Sequence, residues 1–463
     1  MLSLEPTSGW ALARHAMAYV ARASNVEQVE AVVTEARQRG LSIIPRGAGF
    51  SYGDEILNSN RIVLDVRGMS RILNWDPASG VMKVEPGVTF GQALSRCLPD
   101  NWVVAAVPGI RGPTLGGALS NNVHGKNAWK DGAFGESVLS FVLLTSDGRI
   151  HACSREENSD LFHAAIGGLG LFGVVLEIVL QCKRVPSPYL EVQKWSVPNV
   201  DRMIEDFVTI RDKADYHIGW VDCFWKGPQL GRGTVHAAMF VDAPRVPPNG
   251  NGLSSTSPYL FGVFPRTWLW PIARPVFGNT FMRTVNIVKF QSDRLGKQRV
   301  PYLKNFFEFT FLLDSIPEWR QLYQPHGYLE LEAVIPFERC ANALREIIRL
   351  THEYGTASFL CGVKSHRRDD FWLSFSADGC SFGIDIPIDP RRRDELTRLF
   401  HRMNDVVVRA GGRTYLAKDE TISRDHFRGM FPRWKDFDAL KRRVDPHLIF
   451  QSDMYRRLFA PSA

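Results

Sequence analysis

Two glycine-rich loops in the first third of the chain constrain its fold more than any other feature of the sequence. The first covers 46–54 (RGAGFSYGD) and the second covers 108–127 (PGIRGPTLGGALSNNVHGKN). Glycine allows consecutive backbone N–H groups to converge on an anion, and Arg46 adds positive charge to the first loop. Either loop alone is equally consistent with a structural turn. Two such loops in one domain favour a long ligand with a pyrophosphate in its middle.

A third motif, Gly168-x-Gly170-x-x-Gly173, matches the dinucleotide fingerprint by its letters. That fingerprint needs a strand before it and a helix after it, because the helix N-terminus must meet the pyrophosphate. Here a helical pattern over 160–166 precedes the glycines and an apolar strand over 174–180 follows them. We therefore interpret the motif as a tight helix-to-strand turn and reject a Rossmann site.

Helix and strand patterns alternate in the N-terminal part of the chain. Capping-box spacing from Ser24 to Glu27 begins a helix that Gly40 closes. The segments 138–145 and 150–153 flank a turn and predict a β-hairpin. These patterns predict an α+β domain rich in glycine loops.

Strand patterns dominate the middle of the chain beyond Pro186. A helical pattern over 341–354 and a basic one over 390–410 interrupt them, whereas 243–300 shows no clear periodicity and is expected to be a functional or mobile loop. The predicted strands are 216–225, 233–240, 327–335, 357–363 and 382–388.

Composition excludes several classes of protein. The 463 residues include 56 Lys and Arg against 49 Asp and Glu, a net charge of +7 that suggests an anionic partner. No nucleic-acid recognition motif accompanies this charge, so we expect no nucleic-acid partner. Seven scattered cysteines and the absence of CxxC and HxxxH spacing argue against a disulfide scaffold and a metal site. No secretory signal or spanning segment is visible, which predicts a cytoplasmic protein.

The two glycine-rich loops together with GGLGLFGVVLEIVL resemble the FAD-binding domain of the vanillyl-alcohol oxidase superfamily, also called the PCMH type. HGKN in the second loop, YLAKDE at 415–420 and VDPHLIFQSDM at 444–454 narrow the resemblance to the decaprenylphosphoryl-β-D-ribose 2′-oxidase family, the flavoprotein subunits of a 2′-epimerase. The similarity runs nearly from end to end. It is strongest in 41–181 and 411–457, and weak in 190–310.

The resemblance implies a two-part FAD-binding domain, 1–187 completed by 411–463, around an inserted substrate domain, 188–410, built on an antiparallel sheet. Covalent members often carry a histidine where this chain has Phe50, so we predict noncovalent FAD. By matching motif, the implied FAD contacts are Arg46, Gly47, Ala48, Gly49, Phe50, Ser51, Tyr52, Gly53, Asp54, Gly109, Thr114, Leu115, Gly116, Gly117, Asn121, Asn122, Val123, His124, Val175 and Tyr415.

The implied reaction is FAD-dependent oxidation of the 2′-hydroxyl of a polyprenylphosphoryl ribose to a 2′-keto intermediate, on the way to the arabinose form. Lys418 matches the family's active-site lysine and would polarise the sugar hydroxyl, with His124 and Tyr52 beside the flavin and sugar. Lys126 and Lys364 match pocket positions that would pair with the substrate phosphate.

Two departures keep another substrate open. Glu330 and Glu332 stand where the mycobacterial enzymes have pocket glutamines, and these carboxylates would also suit an aldonolactone or a free alditol. A flavin-binding scaffold without catalysis is the alternative of a different class, and the retention of Lys418, His124 and Lys126 argues against it.

The resemblance also implies partners. A short-chain dehydrogenase/reductase would complete the epimerisation. The aromatic stretch 259–281, with Phe264, Trp268 and Trp270 among Arg266 and Arg274, fits a peripheral contact with the inner membrane. A loop packed on its own domain explains the same stretch equally well.

Overall fold

The computed structural model describes residues 2–242, 245, 259–260 and 264–459. Its strands, in chain order, are β1 Ser3–Ser8, β2 His15–Arg22, β3 Ile43–Arg46, β4 Ile62–Asp65, β5 Ile72–Asp76, β6 Val81–Val84, β7 Trp102–Val103, β8 Val138–Leu144, β9 Ile150–Ser154, β10 Val174–Gln181, β11 Lys183–Arg184, β12 Tyr189–Val197, β13 Tyr216–Val221, β14 Gly233–Phe240, β15 Tyr259–Leu260, β16 Phe264–Pro265, β17 Tyr302–Asn305, β18 Tyr328–Pro336, β19 Gly362–His366, β20 Gly379–Pro387 and β21 Arg413–Thr414.

Helices connect and cover these strands, and several short 3₁₀ turns lie between them. The α-helices are α1 Val26–Arg39, α2 Phe90–Cys97, α3 Leu115–Asn121, α4 Ser159–Ala165, α5 Val200–Ile210, α6 Leu269–Ala273, α7 Asn279–Leu295, α8 Phe306–Thr310, α9 Phe337–Glu353, α10 Arg393–Arg409, α11 Arg424–Met430, α12 Trp434–Val444 and α13 Asp453–Leu458.

The N-terminal half contains two sheets. The first has the order β1-β2-β4-β3, with β4 parallel to both of its neighbours, and the second has the antiparallel order β5-β6-β10-β8-β9. The C-terminal segment returns to the first sheet, where Phe450 forms a parallel bridge with Ile43. Residues far apart in sequence therefore complete one layer.

The other half is built on an antiparallel sheet of eight strands with the order β17-β12-β14-β13-β19-β20-β18-β21. Its register places Glu330 opposite Asp385 and Glu332 opposite Gly383 on neighbouring strands. One buried apolar cluster includes both Phe90 of the N-terminal half and Phe382 of this sheet, so a continuous core joins the halves. The α+β fold and the large antiparallel sheet confirm the fold class predicted from the sequence.

Most of the predicted elements are present. Helix α1 begins after Asn25, whose side chain accepts from the Gln28 N–H, and ends at Gly40 in the left-handed conformation. Strands β8 and β9 form the predicted hairpin. Helix α4 precedes the Gly168–Gly173 turn and β10 follows it, which is the order that excludes a Rossmann site.

Three expectations need correction. The segment 243–300 is not irregular throughout, because α7 occupies its second half, and two of the helix's four buried residues are the polar Asn286 and Asp293. These polar residues hide the apolar periodicity that marks a helix. The second glycine-rich loop contains α3, which the Thr114 side chain caps. The strand predicted over 357–363 begins only at Gly362 and runs to His366.

Candidate active site

A cavity of about 790 Å³ lies between the two glycine-rich loops and the eight-stranded sheet. This volume is in the range of cofactor and ligand sites. Both loops, the Gly170–Val175 turn, the C-terminal turn at Lys418 and strands β13, β18, β19 and β20 contribute to its wall. The cavity therefore brings the nucleotide-binding half and the large sheet to one site.

The two glycine-rich loops contact each other directly. A Cβ atom at Gly47 would lie 2.1 Å from Oγ1 of Thr114, and one at Gly116 would lie 2.6 Å from Cβ of Pro86. Gly49 adopts a φ of +76°, which side chains rarely tolerate. The loops therefore line the cavity with bare backbone, as a bound pyrophosphate requires.

Most of the predicted cofactor residues line this cavity. Arg46 is largely buried there, and burial lowers the pKa of its guanidinium, so an anion beside it would be stabilising. Phe50 stacks on Trp10 with ring centroids 4.2 Å apart. The wall-forming predicted residues are Arg46, Gly47, Ala48, Gly49, Phe50, Ser51, Tyr52, Gly109, Thr114, Gly116, Gly117, Asn121, Val123, His124, Val175 and Tyr415. They fit a dinucleotide such as FAD.

Four predicted cofactor residues lie outside the cavity wall, because each of them makes contacts within the protein instead. Asp54 forms buried ion pairs with Arg14 and Arg457, and Leu115 is part of the apolar core. The two others likewise have internal contacts: Gly53 packs on the Asp419 carbonyl, and the Asn122 amide donates to Asp369 and Ser374 while its oxygen accepts from the Gly135 N–H.

A buried ion cluster forms the floor of the cavity. Nζ of Lys418 lies 2.7 Å from a carboxylate oxygen of Glu330 and 2.7 Å from one of Glu332. Nζ of Lys364 lies 3.4 Å from the other oxygen of Glu332. Strand β18 presents both glutamates on one face, since they are two residues apart. This cluster joins Lys418 to the two carboxylates that depart from the mycobacterial pattern.

The protonation states of this cluster follow from its contacts. Burial disfavours the Lys418 ammonium, but Glu330 and Glu332 outweigh it and raise the pKa of Lys418 well above its usual value. Burial also opposes ionisation of Glu332, yet Lys364 and Lys418 hold its pKa well below the usual range. For Glu330 burial prevails over Lys418 and raises the pKa to about 7.

His124 and Tyr52 border the cluster. Nε2 of His124 lies 3.4 Å from a Glu332 oxygen, and the ring packs between Tyr415 and His366. Burial, with Lys364, lowers the pKa of His124 well below its usual value, so the imidazole is neutral at pH 7. Lys418 lies 5.0 Å from the Tyr52 ring centroid, and burial raises the pKa of Tyr52. Both side chains are therefore uncharged.

Lys126 lies in another part of the cavity wall. Its Nζ donates to the carbonyls of Phe309 and Thr310, the latter at 2.8 Å, and only 6% of the residue is exposed. Burial, with Lys364 and Lys304, lowers the pKa of Lys126 well below its usual value. Among the described residues no carboxylate lies within salt-bridge distance of it.

Sequence reasoning missed several residues of the wall. Glu55 follows the first glycine-rich loop directly, bonds to the side chains of Ser51 and Asn121, and has one buried oxygen without a partner among the described residues. Burial raises its pKa to about 7. An acid immediately after a phosphate-binding loop was the available signal. Trp220, His236, Lys289 and Asp385 also line the wall, and only the sheet register and α7 place them there.

Comparisons with known proteins agree with the site. Residues 17–154 match the FAD binding domain family, and residues 323–458 match the D-arabinono-1,4-lactone oxidase family. Decaprenylphosphoryl-beta-D-ribose oxidase of Mycolicibacterium smegmatis is 30% identical, with 97% of this chain and 96% of the relative covered. L-gulonolactone oxidase of Bos taurus is 24% identical with 94% of each covered, and L-gulono-1,4-lactone dehydrogenase of Mycobacterium tuberculosis is 22% identical with 96% of each covered.

These matches confirm the predicted cofactor and class of enzyme. FAD is the cofactor, and the relatives are flavoprotein oxidoreductases that act on sugar-like compounds. The alternative of a flavin-binding scaffold without catalysis gains no support from these matches. The chain belongs to the decaprenylphosphoryl-β-D-ribose oxidase family of PCMH-type FAD-dependent oxidoreductases, which oxidise sugar hydroxyl groups.

Proposed function

We propose that this enzyme oxidises the 2′-hydroxyl of a polyprenylphosphoryl ribose to the 2′-keto intermediate of epimerisation to arabinose. The observation that carries this proposal is Lys126, a buried amino group in the cavity wall with no carboxylate partner among the described residues. An anion beside it would restore its positive charge, because the nearby cations Lys364 and Lys304 and burial all lower its pKa. A phosphoryl group on the substrate is such an anion.

The surroundings of Lys126 fit a phosphoryl group. Its ammonium has three donors and gives two to the carbonyls at the end of α8, and Oγ1 of Thr310 beside it is buried without a partner among the described residues. Lys364 reaches Glu332 from the same wall. Lys126 would thus bind the phosphoryl group of a glycosyl phosphate, and the carboxylate cluster would bind its sugar.

The reaction needs a hydroxyl-bearing carbon held beside the flavin. FAD supplies the two-electron acceptor when bound. Lys418, kept as an ammonium by its two glutamates, would donate a hydrogen bond to the hydroxyl oxygen and stabilise the negative charge that grows on it. Neutral His124 and Tyr52 would fix the sugar by further hydrogen bonds. The burial of the Glu330 and Glu332 carboxylates strengthens these contacts.

The test is anaerobic flavin bleaching with three compounds: a polyprenylphosphoryl ribose, an alkyl riboside of matched chain length and an aldonolactone. We expect the phosphorylated compound to reduce the flavin at the lowest concentration. Lys126→Met should raise its KM and leave the KM of the riboside unchanged. Lys304→Met is the matched control, since Lys304 neighbours Lys126 without lining the cavity. Equal or better reduction by the riboside would contradict the proposal.

An aldonolactone or alditol oxidase is the second candidate. The paired carboxylates Glu330 and Glu332 favour it, because charged acceptors bind the hydroxyls of a neutral polyol well. The match of residues 323–458 to the D-arabinono-1,4-lactone oxidase family points the same way. Bleaching by a lactone or alditol at lower concentration than by the glycosyl phosphate would favour this candidate.

We also propose a peripheral membrane contact and a reductase partner. The membrane contact is supported by Trp268, Ile272 and Val276, each exposed by 58–60%, and by the cations Arg266 and Arg274 among them. No described helix is long and apolar enough to cross a bilayer, and residues 261–263 of the predicted stretch lie outside the described residues. A short-chain dehydrogenase/reductase would reduce the 2′-keto group, and a cytoplasmic location is the matching expectation.

Sedimentation with anionic vesicles tests the membrane contact. Trp268→Ala combined with Ile272→Ser should reduce the pelleted fraction. Leu139→Ser is the control, since it removes an exposed apolar side chain from β8 in the other half. Equal pelleting of the double variant and the control would contradict the contact.

The division into domains remains a proposal as well: 1–187 with 411–463 for FAD, and 188–410 for the substrate. The bridge between Phe450 and Ile43 and the ion pair of Arg457 with Asp54 support it. The C-terminal segment also adds β21 to the edge of the large sheet. Limited proteolysis with and without FAD would test whether the two outer segments are protected together.

A further inference from the structure

Two glutamates on one strand share a single lysine yet differ in their other contacts. Glu332 has Lys418, Lys364 and His124 around its carboxylate. Glu330 has Lys418 as its one cation among the described residues, at 2.7 Å. The titratable groups that interact with Glu330 from the surrounding elements are Lys418, Lys364, Glu332, Asp385, Tyr52, Tyr323 and Tyr328, and of the two lysines only Lys418 is within salt-bridge distance.

Burial, with the nearby carboxyl groups of Glu332 and Asp385, favours the neutral form of Glu330 against the effect of Lys418. Asp385, opposite it on β20, accepts from the Tyr323 and Ser358 hydroxyls and the Leu360 N–H and is thus fixed near Glu330. Burial outweighs the single ion pair and raises the pKa of Glu330 to about 7. The efficiency of a general base is greatest when its pKa is close to the working pH. Glu330 meets that condition and Glu332 does not.

The absence of a side chain at Gly383 leaves space for the Glu330 carboxylate. A Cβ atom at Gly383 would lie 3.0 Å from its Oε1, so a side chain there would push the carboxylate away. Gly383 stands on β20 and lines the cavity, as Glu330 does. The carboxylate therefore reaches Lys418 and the cavity through a gap that a glycine leaves open.

The other ionisable groups of the cluster are unsuited to receive a proton. Lys418 is already an ammonium, and Tyr52 is a neutral phenol that would have to give a proton up. The imidazole of His124 resists protonation because burial and Lys364 lower its pKa, and its Nε2 faces Glu332. Lys364 donates to a Glu332 oxygen. Glu330 is therefore left as the group of the cluster that can both accept and release a proton.

We propose that in this chain, which carries a carboxylate where the mycobacterial enzymes carry a glutamine, Glu330 is the catalytic base that receives the proton of the substrate hydroxyl. The inference rests on the secondary-hydroxyl oxidation proposed above. The C–H bond breaks with both electrons and its hydrogen passing to the flavin, the O–H bond breaks with its proton passing to a Glu330 oxygen, and a C=O bond forms. Lys418 holds the oxygen during the transfer, and Glu330 releases the proton to solvent after the product leaves.

The test is the rate of anaerobic flavin reduction at saturating substrate from pH 5 to 9, in the wild type, Glu330→Gln and Glu332→Gln. The wild-type rate should rise with pH through an apparent pKa of about 7. Glu330→Gln should retain FAD, lose this pH dependence and slow by about 10²–10⁴-fold. Glu332→Gln, the same change on the same strand face, should weaken substrate binding and keep the pH dependence.

A Glu330→Gln enzyme that keeps both the rate and the pH dependence would overturn the inference. Failure of polyprenylphosphoryl ribose to bleach the wild type would instead refute the substrate, and the same series is then run with whichever lactone or alditol does bleach it. A readout independent of turnover is the infrared carboxyl band of the holoenzyme. It is measured in a Glu55→Gln background, because burial raises the pKa of Glu55 to about 7 as well. In that background the band should titrate near pH 7 and disappear when Glu330→Gln is added; its absence from the background would also overturn the inference.

Discussion

Replacing Lys418 by methionine should destabilise the protein in a pH-dependent manner. Lys418 neutralises Glu330 and Glu332, whose side chains are 9% and 3% exposed. Methionine keeps the length of the side chain and removes the charge, so both carboxylates lose their shared cation. Lys364 remains for Glu332 at 3.4 Å, whereas Glu330 is left without a cation among the described residues.

The magnitude follows from the burial of the cluster. Removing one partner of a buried ion pair costs about 3–5 kcal/mol, because an uncompensated charge stays in the interior. Without Lys418 the pKa of Glu332 rises from its lowered value, and that of Glu330, which burial already raises to about 7, rises further. A carboxyl group with a raised folded-state pKa contributes its full stability below the unfolded-state pKa of about 4.3. That contribution is lost as the pH rises through the folded-state pKa. The loss should therefore be near 3–5 kcal/mol at pH 8 and much smaller at pH 5.

Urea unfolding of the FAD-bound protein at pH 5 and pH 8 measures this difference. A triple variant, Lys418→Met with Glu330→Gln and Glu332→Gln, serves as control and should recover most of the lost stability at pH 8, since it removes the buried charges together with their partner. Equal destabilisation of the single variant at both pH values would refute the ion-cluster reasoning. So would a triple variant as unstable at pH 8 as the single one.

Three further predictions concern the cofactor cavity. Gly47→Ala should weaken FAD binding at least tenfold in titrations of stripped protein, because its Cβ would meet Thr114 at 2.1 Å; unchanged affinity would contradict contact between the loops. Glu55→Gln should leave the stability of stripped protein unchanged near pH 4 and raise it by up to about 3 kcal/mol at pH 8. Burial raises the pKa of Glu55 to about 7, so the wild type loses stability as the pH rises from the unfolded value of about 4.3 through the folded value. A pH-independent effect in urea unfolding would count against this. Acid precipitation should release free FAD, because the loop carries Phe50 where covalent relatives carry histidine, and flavin retained on the pellet would show a covalent bond.

Local sequence patterns predicted the parts of the fold that depend on local rules. The left-handed Gly40 and the β8–β9 hairpin are set by neighbouring residues, whereas the cap predicted at Ser24 lies one residue before the observed cap, Asn25. Both glycine-rich loops were predicted for the same reason. Helix α7 was missed because buried Asn286 and Asp293 interrupt its apolar stripe, and Asp293 accepts from Lys194 and Thr234 on other elements.

The site itself depends on distant contacts that no local pattern reports. Lys418 and Glu330 are 88 positions apart in sequence, and β18 brings them together only after the large sheet has formed. The family resemblance pointed to each of these residues separately and did not predict that they form one ion cluster. The difference between Glu330 and Glu332 arises from Lys364, His124 and Asp385, which come from three different elements. Such an asymmetry requires the three-dimensional arrangement.

The kinetic isotope effect on anaerobic flavin reduction tests the proposed reaction most directly. Polyprenylphosphoryl ribose would be prepared with deuterium at C2′ and, as control, with deuterium at C3′. We expect the C2′ compound to bleach the flavin several times more slowly than unlabelled substrate and the C3′ compound to match it, with a 2′-keto product identified by mass spectrometry. A primary effect at another carbon, or no bleaching by this compound while a lactone bleaches the flavin, would contradict the proposed function.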